Sequence, residues 1–85
     1  MAQSYEYRVC NVQYGRVTFV NGVWRGRVPF GEGADTNALL ESCPQVWEFL
    51  QEAGRDGWEL VSVVTHPQEK LADVQDTLYL KRPSW

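Results

Sequence analysis

The dipeptide Asn21-Gly22 constrains this chain more than any other feature, because both residues tolerate the positive φ of a type I′ turn and apolar residues flank them on each side. A two-residue turn fixes the register. Val20 then faces Val23, Phe19 faces Trp24, Thr18 faces Arg25, Val17 faces Gly26 and Arg16 faces Arg27. On that register one face carries Val17, Phe19, Trp24 and Val28, and the other carries Arg16, Thr18, Arg25 and Arg27 beside Val20 and Val23. Two strands alone are not stable in water, so the apolar face must lie on something.

The segments around the hairpin supply that support. Residues 5–14 (YEYRVCNVQY) form a strand in which Tyr5, Tyr7 and Val9 alternate with Glu6 and Arg8. The apolar parity then shifts to Cys10, Val12 and Tyr14, which predicts a bulge or bend within one long strand running on through Gly15. Residues 29–35 (PFGEGAD) are loop, and a short helical stretch over residues 36–41 follows, capped by Asp35. The main helix starts at Ser42 as N-cap, with Pro44 in its first turn and Gln45 completing a capping box. Its apolar stripe is Val46, Phe49, Leu50 and Ala53, and it ends at Gly57 or, one turn earlier, at Gly54. Residues 58–65 (WELVSVVT) are apolar on both faces, which predicts a central strand, and residues 75–82 (QDTLYLKR) close the sheet with Leu78 and Leu80 inward. The expectation is a single α+β domain: an antiparallel sheet of four to five strands, a basic β-hairpin, and one main helix on one face.

Composition narrows what such a fold does. With 85 residues, 44% of them hydrophobic and four of them Trp, the chain can build a core but stays marginal alone, so a second copy is an expected partner. No apolar run approaches the ~20 residues of a membrane helix, and the first residues show no export signal, so a soluble cytoplasmic protein without membrane contact is expected. Two cysteines, Cys10 and Cys43, and one histidine, His66, do not make a zinc site, and the thiols are expected to be reduced. The Gly31-Glu32-Gly33 loop lacks the lysine and hydroxyl of a phosphate cradle, and Glu48 and Glu52 lie i, i+4 on the polar face of the helix. Accordingly no catalytic residue, cofactor or metal ligand is assigned.

Charge is uneven along the chain. Residues 1–31 carry four arginines against one glutamate, a balance of +3, whereas residues 32–59 carry one arginine against seven acids, a balance of −6. Arg16, Arg25 and Arg27 are the candidate anion or salt-bridge face, and Val17, Phe19, Trp24 and Val28 the candidate interface. Exposed aromatics beside arginines can stack bases, but the net charge of −3 and the absence of an RNP-like motif disfavour nucleic acid.

Three stretches, YEYRV at residues 5–9, LQEAGRDGWELVSV at residues 50–63 and TLYLKRP at residues 77–83, resemble a family of small bacterial domains, domain of unknown function 4177. The resemblance implies a first aromatic strand, a helix ending in glycine, a GWELV strand and a basic closing strand, and it brings no activity. The expected function is a non-enzymatic protein-interaction module or homo-oligomer, a dimer first, in which hairpin arginines of one copy meet Glu48 and Glu52 of the other. The alternative is a small-molecule or anion binder, or a minor enzyme, with its pocket between helix and sheet.

Overall fold

The computed structural model describes residues 2–31, 33, 35–66 and 75–84. Five strands form one antiparallel sheet: β1 (Tyr5–Gln13), β2 (Arg16–Val20), β3 (Val23–Trp24), β4 (Glu59–His66) and β5 (Gln75–Pro83), in the order β3-β2-β1-β5-β4. Two helices, α1 (Thr36–Glu41) and α2 (Val46–Arg55), lie between β3 and β4 in the chain. The α+β class and the antiparallel sheet are those expected from the sequence.

The Asn21-Gly22 turn has positive φ at both residues, 50° and 80°, and it pairs Val20 with Val23 and Phe19 with Trp24. The ladder runs one step further, with the Arg25 amide on the Thr18 carbonyl at 2.8 Å, and then stops. Arg16 does not face Arg27. The segment leading into α2 takes the place expected for Gly26 and Arg27: Val17 N–H donates to Pro44 O at 2.9 Å, Arg16 bridges to Gln45, and Arg27 N–H donates to Ser42 O.

The shift of parity along β1 is not a bulge in that strand. β1 pairs with β5 without interruption from Tyr5↔Pro83 to Gln13↔Gln75, so Arg8, Cys10 and Val12 share one face while Tyr5, Tyr7 and Val9 share the other. The chain reverses at Tyr14-Gly15, where φ is 54° and 73°, and β1 and β2 are hairpin partners, not one strand. The irregularity lies in β2, where Thr18 is the extra residue opposite the Asn11–Val12 step. That extra residue separates Val17 and Val20, which enter the core, from Phe19, which stacks edge-on against Trp24 and Phe30 at centroid distances of 5.4 and 6.1 Å. The expected single face of Val17, Phe19, Trp24 and Val28 is therefore divided.

The core consists of Cys10, Val12, Val17, Val20, Phe49, Ala53, Trp58, Leu78 and Leu80, with Val46 and Leu50 packed against it. All four expected stripe residues of α2 point there. The helix begins later than expected, at Val46, because Pro44 and Gln45 lie against β2, with Gln45 extended. Ser42 instead ends α1, its hydroxyl donating to Leu39 O at 2.7 Å, and Glu48 accepts from Gln45 N–H at the true start of α2. Gly57, with φ of 88°, stops α2 as Trp58 N–H reaches back to Ala53 O at 2.9 Å. The strand expected to be central, β4, lies at the edge, and all eight of its residues are exposed. Trp58, just before it, is the residue of that stretch that the core absorbs.

Candidate functional site

The charges that the sequence divides between hairpin and helix meet in one groove. Glu48, Glu52 and Asp56 fall at i, i+4 and i+8 along α2 and its cap, so they share one stripe. Arg8 on β1 and Arg25 and Arg27 after β3 line the opposite bank. The groove has two parts. A hollow of about 190 Å³ is lined by Arg8, Arg25, Phe49, Glu52, Ala53 and Asp56. A second, of about 390 Å³, is lined by Arg16, Arg25, Arg27, Glu48, Glu52 and the 41–44 turn. Arg25 and Glu52 border both.

The arginines are held in different ways. Arg16 is committed to the fold: its Nη1 donates to Cys43 O at 2.9 Å and to Glu41 O at 3.4 Å, placing a cation at the C-terminal end of α1 and the turn beyond it. Arg8 lies over the Trp58 ring at 4.3 Å, and Arg82 lies over the same residue at 4.5 Å. Arg25 rests 5.8 Å from the Phe49 ring centroid. Among the described residues the ion pair within 4 Å is Arg82 with Glu6, at 3.2 Å, so the two banks of the groove face each other without closing.

Both thiols, Cys10 and Cys43, are free and buried, and burial pushes each above its ordinary value. His66 stands at the end of β4 with Nε2 3.0 Å from the Thr77 hydroxyl. Among the described residues no three His, Cys, Asp or Glu side chains gather as a metal would require, and no helix is long and apolar enough to cross a membrane.

The four residues expected as an interface are not one open patch. Val17 is fully buried in the chain's own core, and Trp24 is anchored within its own chain by Nε1 donating to Val28 O at 2.8 Å. Val23, Phe30 and Trp47 are open singly, and β4 is open along its whole length, with Val61 and Val63 53% and 50% exposed and Leu60 and Val64 each 40%. The sheet face bearing Tyr5, Tyr7, Val9 and Tyr79 reaches β4 at Ser62 and Val64, which pair with Tyr79 and Thr77, whereas Leu60 and Val63 pair with Leu80 and Leu78 on the core face. Sequence reasoning missed β4 as a surface because an apolar run reads the same at an edge as at the centre. Trp85 and Glu32 lie outside the described residues. No protein family, curated protein or solved structure matches this chain.

Proposed function

We propose that this chain is a non-enzymatic assembly module that associates with a second copy of itself along β4. One observation carries this reading: an eight-residue edge strand with every residue exposed and four aliphatic side chains among them. Sheet edges in isolated domains are ordinarily short, charged or covered, because an open row of N–H and C=O groups invites another strand. The opposite edge, β3, has two residues. β4 carries one carboxylate, Glu59 at its start, and a bulge between Leu60 and Ser62, so most of its length is left available.

The shape of the molecule supports the same reading. Its radius of gyration is 14.2 Å, against roughly 12 Å for a compact chain of this length, and its extents are 50 × 28 × 20 Å. A thin sheet with one ten-residue helix on it leaves apolar area that an isologous partner would bury. A reducing cytoplasmic setting, which keeps Cys10 and Cys43 as thiols, and kinship with domain of unknown function 4177, belong to this proposal as well.

Sedimentation equilibrium over a wide range of protein concentration tests it. The wild type is expected to pass from monomer to dimer, and Val63→Lys to remain monomeric while keeping the wild-type circular dichroism. A wild type that stays monomeric at high micromolar concentration overturns the proposal.

A further inference from the structure

We propose that the groove between the β-hairpin and α2 binds a small zwitterion of the amino-acid class, its carboxylate on Arg25 and Arg27 and its ammonium on Glu48 and Glu52. The argument begins with the separation of charge. Arginines line the sheet side, carboxylates line the helix side, and no ion pair within 4 Å joins them among the described residues. Oppositely charged side chains gain little by closing on each other at a surface, so open banks leave both charges available to a ligand. Arg25 and Arg27 leave the sheet on backbone hydrogen bonds to Thr18 O and Ser42 O, whereas Glu48 and Glu52 are fixed one turn apart on α2.

The larger hollow, about 390 Å³, falls within the range of small-molecule sites, but charged side chains line most of it where such sites are usually apolar. Its occupant must therefore carry charge. A simple anion would meet the guanidinium forks but also the carboxylates of Glu41, Glu48 and Glu52, and a simple cation would meet the reverse. A molecule with both charges satisfies both banks, with the planar guanidinium suited to a carboxylate. Cys43 and Pro44 also line this hollow, and Phe49 lines the smaller one, so each offers some less polar surface beside the charges.

The separation of the two charges is read by a series of ω-amino acids from glycine to 6-aminohexanoate, with butanoate, butylamine and inorganic phosphate as single-charge probes. The side-chain Nε–Hε signals of Arg25 and Arg27 would be followed by nuclear magnetic resonance. At least one ω-amino acid is expected to give saturable shifts about tenfold tighter than any single-charge probe. Arg25→Gln and Glu52→Gln, on opposite banks and both exposed, are each expected to abolish them while the melting temperature is kept. The proposal is overturned if no probe saturates below about 10 mM. It is equally overturned if phosphate binds as tightly as the best zwitterion, which would make the groove an anion site.

Discussion

At the scale of single residues, two glycines of the same stretch have opposite meanings. Gly57 adopts φ of 88°, and a Cβ built there meets no atom within 4 Å, so any cost of a side chain is a backbone cost. Gly54 sits inside α2 with ordinary helical φ and equally open surroundings. Gly57→Val is expected to destabilise by about 1–2 kcal/mol, because a β-branched residue resists the left-handed region. Gly54→Ala is expected to stabilise by up to about 1 kcal/mol through helix propensity. Chemical denaturation of the pair checks both, and a stable Gly57→Val would mean that the Trp58 amide does not need that turn. The sequence allowed either glycine to stop the helix; only the reach of Trp58 N–H to Ala53 O decides for Gly57.

At the scale of elements, legibility followed how local the cause was. The Asn21-Gly22 register, the inward stripe of α2 and the Asp35 cap of α1 each depend on residues a few positions apart, and each stands as expected. The Tyr14-Gly15 reversal was legible in principle, since a glycine between two apolar runs marks a two-residue turn, but tyrosine at positive φ hides it. The insertion of residues 44–46 against β2 was not legible, because it depends on Gly15, Arg16 and Val17 offering backbone groups some thirty residues away. That insertion leaves a mark at Gly26, where a Cβ would run into the Trp24 ring and the Ser42 hydroxyl. Trp24 cannot swing aside without losing its bond to Val28 O and its contacts with Phe19 and Phe30. Gly26→Ala is therefore expected to cost about 1–3 kcal/mol, while Gly31→Ala, with open space around it, should be close to neutral. Denaturation followed by tryptophan fluorescence distinguishes the two.

At the scale of the whole molecule, the decisive change from the sequence reading is where the charges go. Read from the sequence, the hairpin arginines of one copy meet the Glu48 and Glu52 surface of another. The fold brings both sets into one groove of one chain, where no ion pair within 4 Å joins them among the described residues. Arg16, Arg25, Arg27, Glu48 and Glu52 were legible as charged residues, but their meeting in one groove with Arg8 and Asp56 was not, because the return of residues 41–45 to β2 is a tertiary event. The proposed contact along β4 has Glu59 and His66 as its only titratable side chains and draws otherwise on aliphatic surface and backbone groups. Raising salt from about 0.1 M to about 1 M shortens the Debye length from ~10 to ~3 Å, which weakens exposed charge pairs and leaves apolar burial intact. The dimerisation constant is therefore expected to change by less than about threefold across that range, while zwitterion binding in the groove weakens markedly. Sedimentation equilibrium at both salt concentrations checks it. A loss of association of about tenfold or more at high salt would return Arg25 and Arg27 to the interface and remove β4 from it.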